Sequence, residues 1–217
     1  MHLTSSPVDW YVARAGGVVA YVLLTLTVLL GLTMSSRRRS QRWPRMAVED
    51  VHRFAGILVG VFVVVHVVAV AIDSYLPFSP AAIVVPFVSA YRPAWVALGI
   101  VAAELLLALA VTNRLRHRSL SYETWRRVHY LNFAVWGGAT LHGLGSGTDR
   151  STPWMVAVYA CGSAAVAAFT AFRVLRRRPL APRVRAAASP GVAALAAAAV
   201  LVLALGPLRP HARPWNA

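Results

Sequence analysis

Residues 51–72 read VHRFAGILVGVFVVVHVVAVAI, an apolar run of membrane-spanning length with one histidine near its start and another fourteen residues later. A second run, residues 128–146, reads VHYLNFAVWGGATLHGLGS and carries two histidines thirteen residues apart. Imidazole is costly in hydrocarbon, and ionisable groups inside membrane spans usually face the bundle interior and serve a function. These four histidines therefore need a common explanation: His52, His66, His129 and His142.

The composition predicts an all-α membrane protein. Of the 217 residues, 58% are hydrophobic, which is too apolar for a soluble domain. The apolar runs are continuous, whereas a membrane β-barrel would show alternation. The first run is too long for the core of a signal peptide and has only Arg14 before it. We therefore expect a six-transmembrane helix bundle forming a single domain over residues 1–217, with spans at about 15–34, 54–72, 94–112, 128–146, 154–172 and 191–205.

Charge placement predicts the orientation of the bundle. All 22 basic residues are arginine, and seventeen of them follow the first, third and fifth runs. The positive-inside rule then places both termini outside and the three arginine-rich loops in the cytoplasm. This pattern indicates contact with membrane lipid rather than with nucleic acid. The single cysteine permits neither a disulfide framework nor a cysteine zinc motif.

The histidine spacing predicts two metal sites stacked across the membrane. Fourteen residues leave His52 and His66 about 40° apart around an ideal helix and roughly 21 Å apart along it. The second and fourth spans run in the same direction, so His52 lies level with His129, and His66 with His142. Such pairs favour two b-type haems, each held by one histidine from each helix. One zinc ion cannot bridge sites this far apart, and the alternative is four separately satisfied histidines.

Two details of the histidine helices are less regular. Thirteen residues leave His129 and His142 roughly 140° apart on an ideal helix. We therefore predict a local distortion near Gly137 and Gly138, or one ring that reaches around the helix. On the other histidine helix, Gly56 and Gly60 either leave room for a macrocycle or form a helix-packing notch.

Other polar residues complete the prediction. The outer loop, residues 73–95, contains a short apolar piece at 81–88, and we expect it to cap the site beside His66. Glu104, in the middle of the third span, is expected to hydrogen-bond a neighbouring helix, with a proton path as the alternative. Four arginines are candidate contacts for haem propionates, or else snorkel to the interface: Arg53, Arg126 and Arg127 on the inner side and Arg92 on the outer side.

The segments HRFAGILVGVFVVVH and HYLNFAVWGGATLH resemble the paired-histidine helices of the ferric reductase-like transmembrane domain. NADPH oxidases, ferric-chelate reductases and the haem-binding membrane subunit of the methionine sulfoxide reductase system share this domain. WYVARAGGVVAYVLLTLTVLLGL, WRRVHYLNF and LHGLGSGTD are similar to bacterial stand-alone members. The resemblance implies haem ligation by the four histidines and electron flow from the cytoplasmic to the outer side of a bacterial plasma membrane.

The sequence offers no phosphate-binding loop for a flavin or nicotinamide nucleotide. We therefore expect the electron donor to be a cytoplasmic flavoprotein reductase or a membrane quinol. The acceptor would be a ferric chelate, oxygen or a partner protein on the outer side. The predicted function is that of a di-haem b cytochrome, an oxidoreductase of transmembrane electron transfer. The alternatives are a quinol-linked haem subunit for an extracytoplasmic reductase, and a non-enzymatic haem sensor or transporter.

Overall fold

The computed structural model of the protein describes residues 7–34, 44–73, 76–116 and 118–177. These residues form helices and loops, with no strand among them. The predicted sixth span, residues 191–205, lies outside the described residues. The helices are α1 (Pro7–Met34), α2 (Arg45–Ile72), α3 (Pro80–Val84), α4 (Pro93–Leu115), α5 (Tyr122–His129), α6 (Asn132–Ser146) and α7 (Pro153–Arg177).

Four of these helices, α1, α2, α4 and α7, are long and apolar enough to cross a membrane. They contain the predicted first, second, third and fifth spans, and the protein is accordingly a multi-pass membrane protein. The helices α1 and α2 begin earlier than their apolar runs. The nine residues added to α2 mix polar and apolar side chains, and among them Arg45 Nε donates to Glu49 Oε1 over 3.0 Å, an i,i+4 pair that supports the helix. The six-span count and the outward termini remain predictions.

The predicted fourth span is divided into two helices, and this corrects the predicted position of the distortion. The amides of Tyr130 and Leu131 bond to the carbonyls three residues before them, as in a 3₁₀ turn, and α6 then continues through Gly137 and Gly138. Asn132 supplies a local cause. Its side-chain amide donates to the carbonyl of His129 over 2.9 Å, an acceptor that the backbone of a continuous helix would use.

The contacts divide the chain into two compact units. One comprises Met1–Val28 and Asp50–Gly147 and contains all four histidines. Within it, α4 packs along α6 and contacts α5. The other comprises Leu29–Glu49 and Thr148–Ala217, and its described part includes α7 and the end of α1. The prediction of a single domain stays a prediction.

The segment between α2 and α4 contains the short apolar helix expected there. The helix α3 has five residues, and the Ser79 side chain caps it by accepting from the amide of Ala82 over 3.2 Å. Five residues are far too few to span a membrane.

Glu104 differs from its prediction. Its side chain lies on the exposed face of α4 and hydrogen-bonds no other described residue. The rotation of α4 explains this difference, because its close contact with α6 is made by other faces, which bear Gly99 and Ala102.

Candidate functional site

The four histidines lie in two pairs, each with one residue from α2 and one from the α5–α6 segment. The ring centroids of His52 and His129 are 6.2 Å apart, with the ring planes at 64°. Those of His66 and His142 are 6.3 Å apart, with the planes at 77°. All four residues are half-buried. The structure therefore brings together the same pairs that the parallel runs predict, while haem ligation itself stays a prediction.

His129 and His142 are thirteen residues apart, whereas their partners His52 and His66 are fourteen apart. The 3₁₀ turn at Tyr130 and Leu131 explains how both pairs can nevertheless form. Each residue of a 3₁₀ turn rotates the chain by about 120°, against about 100° in an α-helix. The amides of Tyr130, Leu131 and Phe133 all bond three residues back, so about four steps of the chain after His129 are tightened and add about 80° of rotation. This is close to the rotation that an extra helical residue would supply. His129 and His142 consequently face α2 together, although their spacing on a regular helix would separate them.

Three of the four imidazoles are anchored to backbone carbonyl oxygens of neighbouring helices. The Nδ1 atom of His52 lies 3.0 Å from the carbonyl oxygen of Thr27, and that of His66 lies 2.7 Å from the oxygen of Ala13. The Nδ1 atom of His142 lies 2.9 Å from the oxygen of Trp95. A carbonyl oxygen can only accept, so Nδ1 carries the proton and Nε2 keeps its lone pair. This arrangement is typical of histidines that bind a metal through Nε2.

Glycines allow the neighbouring helices to approach these rings. A Cβ atom built at Gly99 would lie 2.5 Å from Nδ1 of His142. One built at Gly17 would lie 3.0 Å from Nδ1 of His66. A side chain at Gly99 would push the His142 imidazole away from its carbonyl partner, whereas one at Gly17 would require His66 to shift by a few tenths of an ångström.

His129 is held differently from the other three histidines. The indole of Trp125 stacks on its imidazole, with centroids 4.9 Å apart and planes at 25°. The amide nitrogen of Asn132 lies 3.3 Å from Nδ1 and 3.4 Å from Nε2, so its contact with the ring is loose. Because both neighbours belong to the same segment of chain, the orientation of His129 depends on the geometry of α5 and of the turn that follows it.

The spacing of each pair fits a metal held between two imidazoles. An imidazole nitrogen bonds a first-row metal at about 2.0 Å and lies about 1.2 Å from its ring centroid, so two opposed rings place their centroids about 6.4 Å apart. The observed separations of 6.2 and 6.3 Å agree with this value. Among the described residues, no group of three or more His, Cys, Asp or Glu side chains is placed to hold a metal ion.

The space beside α2 is also compatible with a macrocycle. Gly56 lies one turn after His52 and on nearly the same face of the helix. A Cβ atom at Gly56 or at Gly60 would meet no atom within 4 Å. No described residue packs into either position, so these glycines do not form a helix-packing notch within the described part of the chain.

The four candidate arginines lie at the two ends of the histidine helices. Arg53, beside His52, has an exposed guanidinium 3.8 Å from Asp50. Arg126 lies over the Tyr122 ring. Arg127 is 3.9 Å from Glu123, and the side chains of Arg127 and Glu123 are each 83% exposed. Arg92, at the outer end, donates to the carbonyl oxygen of Gly145, three residues after His142.

Sequence reasoning missed several residues that hold the imidazoles. Trp125 and Asn132 lie four residues before and three residues after His129, a helical spacing that could have indicated them. The carbonyl groups of Ala13, Thr27 and Trp95 carry no sequence signal, because every residue has the same carbonyl.

A protein-family model described as "Ferric reductase like transmembrane component" matches residues 16–140. The matched segment runs from α1 into α6 and includes His52, His66 and His129. No curated protein and no solved structure matches the chain.

Proposed function

The chain belongs to the ferric reductase-like transmembrane family, and from this premise we propose that it is a di-haem b cytochrome that transfers electrons across the membrane. One haem would be held by His52 and His129 and the other by His66 and His142. Electrons would pass from a cytoplasmic or quinol donor to an acceptor on the outer side, which is a ferric chelate, oxygen or a partner protein. The observation that carries the proposal is the separation of 6.2–6.3 Å between the ring centroids of paired imidazoles at two levels along α2.

The protein's own groups would orient and separate the two sites. Each bound haem would supply a one-electron carrier whose potential depends on its axial ligands, their hydrogen bonds and burial. The carbonyl oxygens of Thr27, Ala13 and Trp95 keep the proton on Nδ1, which would leave Nε2 available as the ligand to a haem iron and raise its basicity. Two histidines on each iron would leave no open coordination position, which would suit electron transfer and disfavour binding of oxygen at the metal.

The arginines would supply charge where the propionates emerge. Arg53, Arg126 and Arg127 flank the inner pair, and Arg92 lies near the outer pair. A guanidinium can pair with a carboxylate through two parallel hydrogen bonds. The exposure of the three inner arginines is equally compatible with snorkelling into lipid headgroups, so they are weaker candidates than the histidines.

Haem content and absorbance spectra test the proposal. The purified full-length protein should contain two haems per chain and show the reduced-minus-oxidised spectrum of low-spin b haem. His66→Ala and His142→Ala should each remove the same outer haem, and the double variant should lose no more than either single one. His52→Ala and His129→Ala should behave in the same way at the inner site. Unchanged haem content in all four variants would contradict the proposed function.

A further inference from the structure

The helix α5 leads from His129, in the inner histidine pair, to exposed residues at its own N-terminus. We name Tyr122, Trp125 and His129 the α5 aromatic face, since these residues follow one another at helical spacing. The ring centroids of Tyr122 and Trp125 are 5.8 Å apart, and those of Trp125 and His129 are 4.9 Å apart. Tyr122 is 68% exposed, Trp125 is half-buried and His129 belongs to the inner site. An aromatic path therefore leads from the protein surface to a candidate haem ligand.

Two contacts hold Trp125 in place at the centre of this face. Its indole Nε1 donates to Asn113 Oδ1 over 2.8 Å. The guanidinium carbon of Arg116 lies 4.8 Å from the centroid of its ring, within the range of a cation–π contact. Asn113 and Arg116 come from the end of α4, so the position of the indole is fixed by a second helix as well as by α5.

The surroundings of the α5 aromatic face are strongly positive. The only acidic side chain described between residues 113 and 129 is Glu123, which is highly exposed and adds little to stability through its pair with Arg127. Five exposed arginines lie in the same stretch: Arg114, Arg116, Arg118, Arg126 and Arg127. A surface of this sign attracts acidic proteins and raises their rate of association.

We propose that the α5 aromatic face and its arginines form the docking surface for an acidic electron-carrier protein, with Trp125 as the contact between that carrier and the inner haem site. This proposal rests on the proposed function and specifies the donor. Anionic lipid would explain the arginines alone, but lipid binding has no use for an indole fixed by two helices and stacked on a ligand imidazole. A quinol would need an apolar access path, whereas this face is charged and exposed.

The transfer step moves one electron and makes or breaks no covalent bond. A docked carrier would give up one electron, and a ferric haem iron held by His52 and His129 would accept it. Trp125 remains closed-shell and shortens the gap that the electron crosses. Its role is therefore one of positioning and coupling, because it touches a ligand of the iron and not the iron itself.

Reduction kinetics of the full-length protein in neutral phosphatidylcholine nanodiscs provide the test. The probe is reduced plant-type ferredoxin, an acidic one-electron carrier of low reduction potential, and dithionite serves as the small reductant. Relative to wild type, Trp125→Ala should lower the ferredoxin rate about tenfold, and Trp125→Phe should restore most of it. The double variant Arg114→Gln/Arg118→Gln should also slow ferredoxin about tenfold and weaken the dependence of the rate on salt. The dithionite rate should change little in the arginine double variant, and in the tryptophan variants the ferredoxin rate is expressed relative to the dithionite rate of the same variant.

Matched controls separate this role from a general loss of charge or of an indole. Arg150→Gln removes an arginine from the turn after α6, and Trp154→Phe removes an exposed indole from α7. Both should keep the wild-type ferredoxin rate. Haem content is measured first in every variant, so that loss of haem from Trp125→Ala is recognised and the comparison then depends on Trp125→Phe and the arginine variant.

The remaining outcomes distinguish failure of the docking proposal from failure of the proposed function. Wild-type ferredoxin rates in the tryptophan and arginine variants, with both haems present, would overturn the docking proposal and leave the proposed function intact. If the tryptophan and arginine variants lose binding to phosphatidylglycerol vesicles but keep the wild-type reduction rate, the face is a lipid site and the docking proposal is overturned. If menaquinol reduces the wild-type protein rapidly and ferredoxin does not reduce it, the docking proposal is also overturned. A wild-type protein without low-spin haem would contradict the proposed function instead.

Discussion

The imidazole of His142 donates from Nδ1 to the backbone carbonyl oxygen of Trp95 over 2.9 Å, across the contact between α6 and α4. The carbonyl belongs to the first turn of α4, and Gly99 lies one turn later on the same face. The absence of a side chain at Gly99 is what lets the ring reach the helix backbone. The position of His142 thus depends on the absence of a side chain at Gly99 and on the backbone carbonyl of Trp95.

Gly99→Ala is expected to remove the outer haem. A Cβ atom there would lie 2.5 Å from Nδ1 of His142, closer than side-chain carbons approach other atoms, so the ring must move. The haem-to-protein ratio, measured by pyridine haemochrome, should fall from about two to about one. Gly137→Ala is the matched control, since its Cβ would meet no atom within 4 Å. If Gly99→Ala retains two haems, the close approach of α4 to the His142 ring is not required for binding the outer haem.

Deleting Val64 from α2 should abolish the outer site and spare the inner one. The deletion shortens the spacing between His52 and His66 by one residue, which rotates His66 by about 100° away from His142. Difference spectra should then show a single haem. Val64→Ala should keep both haems, because the Val64 side chain is 62% exposed and only the register matters. Inserting an alanine after Ile57 in the deletion variant should restore the second haem.

Low-temperature EPR should detect strongly anisotropic low-spin signals from both oxidised haems. The imidazole planes cross at 64° in the inner pair and 77° in the outer pair. Crossed axial planes leave two iron d orbitals nearly equal in energy, and this raises the largest g value. The outer haem should show the more extreme signal because its planes are closer to perpendicular. Rhombic spectra typical of parallel imidazoles would contradict these ring orientations.

A hydrogen bond between α1 and α6 should contribute measurably to stability. Trp136 Nε1 donates to Thr25 Oγ1 over 3.0 Å, and Thr25 is buried. A double-mutant cycle of Trp136→Phe and Thr25→Val should give a coupling free energy of about 0.6 kcal/mol, the usual scale for interhelical hydrogen bonds in membranes. The free energy of unfolding in detergent micelles is the measured quantity.

The control cycle pairs Trp136→Phe with Thr112→Val. The hydroxyl of Thr112 bonds to the carbonyl of Leu109 within its own helix, so the two changes should be additive. A coupling free energy near zero for Trp136 and Thr25 would show that this contact adds nothing to the association of the two helices.

Much of this protein was readable from the sequence alone, because membrane spans are set by local composition and a helix has a fixed period. The apolar runs predicted the long helices, and the histidine spacings predicted which imidazoles lie level with each other. The family resemblance, carried by the same two runs, is confirmed by the match over residues 16–140.

Only the tertiary structure decided how the imidazoles are held and where the fourth run breaks. The partners of His52, His66 and His142 are backbone carbonyls on other helices, and their identity depends on the height and rotation at which the helices pack. The turn after His129 arises because the Asn132 side chain takes an acceptor from the helix, a choice that apolar periodicity does not record. The exposed position of Glu104 was decided in the same way, since a central place in an apolar run specifies depth in the membrane but not the direction that a side chain faces.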